Sequence, residues 1–153
     1  MFHKILIVDD EESIRYTFSA FLADEDYQVD LAESLDQATG MLSSSEYDTV
    51  FLDIMLGRDS GIEVLKAAKE SNPNCPVIMV TGGPDVKTAA EAVRFGAFDY
   101  LTKPVHQEDL LLHAKRATGY KQSLDQNERY QKRMMAVFDG IKDGIMVFDS
   151  TCR

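Results

Sequence analysis

Short apolar runs alternate along the first three quarters of the chain with stretches whose apolar side chains recur every three or four positions. The runs are Ile5-Leu6-Ile7-Val8, Gln28-Val29-Asp30-Leu31, Thr49-Val50-Phe51-Leu52, Val77-Ile78-Met79-Val80 and Ala97-Phe98-Asp99-Tyr100-Leu101. Runs this short and rich in β-branched residues predict strands. Between them Ile14, Phe18, Phe21 and Leu22 recur at helical spacing, as do Leu35, Ala38 and Leu42, then Ile62, Leu65 and Ala68, then Val86, Ala89, Ala90 and Val93. Each set marks one face of an amphipathic helix. Pro73 and Pro76 interrupt the chain before the fourth run, Pro84 suits the start of the fourth helix, and Gly96 suits its end. Five strands alternating with helices predict a βαβ series, an α/β doubly wound five-stranded parallel sheet with helices on both faces. The first, third and fourth runs are the most apolar, as expected of central strands covered on both sides.

The 153 residues suffice for one domain and a short appendage, and a chain of this size folds without disulfides or metal. Two cysteines, Cys75 and Cys152, point to neither a disulfide framework nor a zinc site. A formal net charge of −10 argues against direct nucleic-acid or membrane binding, because phosphate backbones and anionic lipids repel it. Ile5 to Val8 runs straight into four acids, unlike a signal peptide, and no stretch reaches the roughly 20 apolar residues of a membrane span. A cytoplasmic location is expected. The charge is uneven: residues 1–118 hold 10 basic and 21 acidic side chains, whereas residues 119–153 hold 6 and 5. That shift predicts a boundary near Thr118–Gly119, between an acidic first domain over 1–118 and a near-neutral tail.

The strand ends carry the candidate chemistry. In open α/β sheets ligands bind outside the carboxyl ends of the strands. The first strand ends in Asp9-Asp10, the third in Asp53, the fourth in Thr81-Gly82-Gly83, and the fifth runs into Thr102-Lys103-Pro104. One strand-end Asp alone is usually a turn or cap. Three carboxylates, a hydroxyl and an ammonium at one edge are a different matter. Such carboxylates repel unless a cation lies among them, and an all-oxygen donor set suits Mg²⁺. The three histidines His3, His106 and His113 do not cluster at metal-ligand spacing.

These motifs resemble the receiver domain of two-component response regulators. The likeness rests on Ile5 to Glu11, on Leu52-Asp53-Ile54-Met55-Leu56 with Gly61 beyond, on Val80-Thr81-Gly82, and on Gly96 through Pro104. The last motif is most similar to the nitrogen-regulatory subclass. The resemblance implies a flavodoxin-like strand order of 2-1-3-4-5 and makes Asp53 the phosphoacceptor. Asp9, Asp10, Asp53 and the Met55 backbone carbonyl would hold Mg²⁺. Thr81 and Lys103 would contact the phosphoryl oxygens, and Tyr100 would be the switch aromatic, turning inward when Thr81 moves. A cis bond before Pro104, costing only about 0.5–1 kcal/mol, would aim Lys103 into the site. A sensor histidine kinase or phosphotransfer protein would be the donor, and an output domain of the same protein the target. The family usually carries proline where this chain has Gly57, so a looser loop is expected there.

After Pro104 a helix is expected from Glu108. Leu110, His113, Ala117, Tyr120, Leu124, Asn127, Gln131, Met134, Phe138 and Ile141 follow alternating steps of three and four, a heptad seam; Leu110 to Ala117 are expected to pack on their own domain, and the stripe beyond Tyr120 predicts a homodimer through this helix. Val137 to Asp149 resembles the opening of a PAS domain, which implies a helical linker over 119–136, a possible coiled coil, and the start of a PAS-like domain over 137–153. Three rival functions are weaker. An aspartyl-phosphate phosphatase would resemble its relatives in having a second Asp where Met55 stands. A flavin-binding protein would need a Ser/Thr-Gly-rich loop after the first strand. A phosphorylation-independent interaction module would not need the intact set of Asp9, Asp10, Asp53, Thr81 and Lys103.

Overall fold

The computed structural model describes residues 2–144, the last four of them by backbone only. In chain order the elements are β1 (Lys4–Val8), α1 (Glu12–Ala23), β2 (Gln28–Ala32), α2 (Leu35–Ser44), β3 (Thr49–Asp53), β4 (Met55–Leu56) and β5 (Asp59–Ser60). There follow α3 (Gly61–Ser71), β6 (Val77–Thr81), α4 (Val86–Arg94), β7 (Asp99–Thr102) and α5 (Gln107–Gly144). Five parallel strands form one sheet in the order β2-β1-β3-β6-β7. This is the expected 2-1-3-4-5 order, renumbered because β4 and β5 form a separate two-residue hairpin.

Strand alternation sorts the core into two layers. Leu6, Val8, Val50, Leu52, Val77 and Met79 face Ala38 and Leu42 of α2, Ile62, Leu65 and Ala68 of α3, and Ala92 of α4. Ile5, Ile7, Phe51, Ile78 and Val80 face Phe18 and Leu22 of α1 and Leu110, Ala114 and Ala117 of α5. β3 and β6 are buried at every position, and inside their polar ends Val50 to Leu52 and Val77 to Val80 read as unbroken apolar runs.

Local chemistry sets the helix ends. The Ser34 hydroxyl accepts from the Gln37 amide, and Gln37 Oε1 accepts in turn from the Glu33 amide, a reciprocal cap at the start of α2. Pro84 lies one residue before the α4 cap rather than inside the first turn; Asp85 caps, accepting from Lys87 N. α4 closes in a Schellman turn, with Gly96 at φ +90° and bonds from Gly96 N to Val93 O and from Ala97 N to Ala92 O.

Two elements depart from expectation. The segment after Asp53 is no loose loop but a hairpin, with Met55 opposite Ser60, Leu56 opposite Asp59 and Gly57 at φ +62°. On α5 the buried positions are Leu110, Ala114, Ala117, Thr118 and Lys121, whereas His113 is half-buried and Tyr120 exposed. The helix follows its 3.6-residue period where it lies on the sheet, not the 3.5-residue seam. Lys121, only 3% exposed, pairs with Glu46 at 3.3 Å and Asp48 at 3.5 Å. The chain divides into two units, the first ending at Lys121 and the second beginning at Gln122.

Cys75 is a free buried thiol, pushed up to about 12 by burial. Among the described residues no helix is long and apolar enough to cross a membrane. The α5 helix continues through Val137 to Gly144; Ile145 to Asp149 of the PAS-like stretch, Cys152, and the side chain of Ile141 lie outside the described residues.

Candidate functional site

The strand ends named above converge at the carboxyl edge of the sheet. Asp9 directly follows β1 and is 2% exposed, and Asp53 closes β3 at 6%. Asp9 Oδ1 accepts from the Glu11 amide at 2.9 Å, and Asp53 Oδ1 accepts from the Met55 amide at 3.2 Å. Their other oxygens face Lys103, whose ammonium lies 2.9 Å from Asp9 Oδ2 and 3.3 Å from Asp53 Oδ2. Lys103 extends from just beyond β7, its amide donating to Thr81 O at 2.7 Å and its peptide bond to Pro104 being cis.

Glycine is required behind Asp53. A Cβ on Gly61 would overlap the Asp53 carbonyl oxygen and sit 3.0 Å from Ile54 Cα, and the Gly61 amide donates to Ile54 O at 2.6 Å. The start of α3 therefore lies directly against the end of β3, and the Asp53 backbone is held from both sides.

Electrostatics oppose each other here. Burial raises the Asp53 carboxyl above the usual carboxylate range; the Met55 amide opposes this, the Asp9 charge adds to it, and Lys103 opposes it. At Lys103 burial works to lower the ammonium, but the hydrogen bond and charge of Asp9, with those of Asp53, leave it raised and firmly cationic. One lysine thus partly neutralises a group that still carries excess negative charge. Oxygens of Asp9, Asp10, Glu11 and Asp53 lie within 4.8 Å of one another, a donor set that fits a hard divalent cation. Asp10 is exposed, and its Oδ2 accepts from the Gly57 amide at 3.1 Å.

The other expected residues occupy the rim. Thr81 is buried at the end of β6, its hydroxyl accepting from the Gly83 amide at 3.2 Å. Tyr100 is half-buried against the core layer of α2, α3 and α4, and its hydroxyl is already buried without a hydrogen-bond partner. Met55 has an exposed side chain, and its amide donates to Asp53 Oδ1.

Three participants escaped the reading of the strand ends. Glu11 places a carboxylate oxygen 3.4 Å from Lys103, and its position beside Asp9-Asp10 was the available signal. Arg15 of α1 donates to the Asp9 carbonyl at 2.8 Å and pairs with Glu33 at 3.5 Å; an arginine on a charged helix face gives no such hint. Gly57 reaches Asp10 across 47 positions.

Residues 5–115 match the response regulator receiver domain family. The chain belongs to this family. Its relatives include the alginate biosynthesis transcriptional regulatory protein AlgB of Pseudomonas aeruginosa, 37% identical over 139 residues, which cover 91% of this chain and 31% of the relative. The chain thus spans about a third of that relative's length. The receiver domain of NtrX from Brucella abortus superposes with a TM-score of 0.70 at 37% identity, covering 75% of this chain and 98% of that one. A CheY-like receiver protein from Methanospirillum hungatei reaches a TM-score of 0.78 at 28% identity, covering 80% and 98%. The protein is a receiver of two-component signalling with NtrX-like relatives.

Proposed function

We propose that Asp53 accepts a phosphoryl group from the phosphohistidine of a sensor kinase or phosphotransfer protein, in a reaction that needs Mg²⁺. The observation that carries this reading is the Lys103 ammonium lodged between the Asp9 and Asp53 carboxylates, at 2.9 and 3.3 Å. Burial keeps Asp53 short of solvent, and a carboxylate in that state is a better nucleophile than a hydrated one. An Asp53 carboxylate oxygen forms the new bond to phosphorus while the bond to the donor nitrogen breaks. The departing imidazole keeps the electron pair and takes a proton from solvent. Lys103 and the Thr81 hydroxyl answer the charge on the phosphoryl oxygens. Asp9, Asp10, Asp53 and the Met55 carbonyl would hold Mg²⁺, which supplies positive charge for the same oxygens. Glu11 adds a fourth carboxylate to that group. A phosphatase reading finds no second Asp at Met55, and no observation favours it.

Phosphorylation would draw Thr81 toward the new group, and Tyr100 and the surface of α4, β7 and α5 would register the change for an output domain. The second unit of the chain, from Gln122, would pair with its copy in a homodimer. Intact-mass measurement after treatment with a small acyl phosphate and Mg²⁺ is expected to show one added phosphoryl group. Asp53→Asn and the chelated wild type should show none; unchanged labelling of Asp53→Asn would refute the assignment.

A further inference from the structure

The hairpin beyond Asp53 contributes more than a connection. Its two central residues are Gly57 and Arg58, with Met55 paired to Ser60 and Leu56 to Asp59. A positive φ at the first central position, here +62° at Gly57, is that of a type II′ turn, whose backbone twist matches the flanking strands. This conformation turns the Gly57 amide toward Asp10, 47 residues earlier, where it donates to Oδ2 at 3.1 Å. Asp10 is exposed and follows directly on buried Asp9, so no packing of its own fixes its side chain.

The geometry points to Gly57 as a positioning residue for the metal: its backbone amide holds Asp10 Oδ2 and so presents the remaining oxygen of that carboxylate to Mg²⁺. The inference rests on the Mg²⁺ reading above. It gives the hairpin two roles, since Met55 begins the same strand whose turn carries the Gly57 amide. Groups that orient a ligating carboxylate without touching the metal typically contribute 10- to 100-fold in affinity. The exposed setting puts the Gly57 amide at the lower end, about 10-fold.

Two substitutions weaken the amide contact to different degrees. Nothing lies within 4 Å of a Cβ built on Gly57, so a side chain there meets no neighbour and is strained only by the positive φ. Gly57→Ala keeps the N–H but disfavours the positive φ; Gly57→Pro removes the N–H as well and fixes φ near −65°. Mg²⁺ affinity of the full chain is read by calorimetric titration and by the ¹⁵N shift of the Asp10 amide, with no donor present. Gly57→Pro should bind about 10-fold more weakly than wild type, and Gly57→Ala, which keeps the N–H but populates the aiming φ less, should fall between the two. Equal affinities for all three proteins would overturn the inference. So would a Gly57→Pro variant that binds more tightly than Gly57→Ala, because the variant without the N–H would then hold the cation better than the one that keeps it. A wild type that fails to bind Mg²⁺ would instead overturn the metal reading itself. Thermal melts without Mg²⁺ check that each variant is folded.

Discussion

A nearly dry carboxylate such as Asp53 carries a stability cost that depends on pH. Its carboxyl is raised, first by burial, so the folded chain holds that proton to higher pH than the unfolded chain does. Stability therefore falls as pH rises through the interval above the ordinary carboxylate value, and the cost is absent below that value, near pH ~4. Without Mg²⁺, Asp53→Asn should melt above wild type at neutral pH, and the two should converge on acidification. A saturating cation acts on wild type in the opposite sense, by about 2.7 kcal/mol at 100 times its Kd. Melts at pH 7 with and without Mg²⁺ would show both effects; a lower Tm for Asp53→Asn without the cation would contradict this account. Tyr100 gives an independent test, because its buried hydroxyl lacks a partner. An unpartnered buried polar group costs about 1–3 kcal/mol, so Tyr100→Phe should raise the urea midpoint by the equivalent of about 1 kcal/mol. A drop would mean that the hydroxyl is engaged.

Among the elements, the joint between β3 and α3 is closely packed. Asp53 ends one and Gly61 begins the other, and a single methyl at Gly61 would collide with the backbone of Asp53 and Ile54. Gly61→Ala should therefore destabilise by about 1–3 kcal/mol, as overpacked positions do. Because the obstacle is the Asp53 carbonyl, it should also slow labelling by an acyl phosphate at temperatures where the fold persists. A variant of normal stability and normal labelling would show that the contact relaxes freely. Alanine at Gly40, with nothing within 4 Å of its Cβ and inside α2, is the matched control and should be neutral or stabilising.

For the whole molecule, the open matter is the length of helix beyond the first unit. From Gln122 the helix exposes Phe138 of the seam and, beside the seam, Tyr130 at 58%, Met135 at 63% and Val137. A solvated helix with an uncovered apolar stripe is marginal by itself, which favours the proposed pairing of two copies. Asn127 at a seam position would keep that pairing in register at some cost in stability. The test is sedimentation of residues 1–153 against a chain ending at Lys121, not at Thr118, because Lys121 is buried and paired to Glu46 and Asp48. The longer chain should associate at micromolar concentration and the shorter should not. Two monomers, phosphorylated or not, would leave the helix as a tether.

The alternation of strands and helices was legible because burial imposes local patterns on side chains, an unbroken apolar run in a central strand such as β1, covered on both faces, and a period of 3.6 in α3. The edge that gathers Asp9, Asp53, Thr81 and Lys103 was legible too, since parallel strands must all end on the same side of the sheet. Pairings between distant polar side chains carry no such period. Lys121 reads as an ordinary helical surface lysine, yet it is buried on acids 75 positions earlier at Glu46 and 73 at Asp48. Gly57 reads as a slack residue, yet its positive φ aims an amide at Asp10. Sequence alone determined which residues are apolar, where the chain turns and what chemistry stands at the strand ends. Which charges are buried, and which amide holds which carboxylate, was decided only when the helices closed over the sheet, because only close packing selects one partner from many equivalent polar groups.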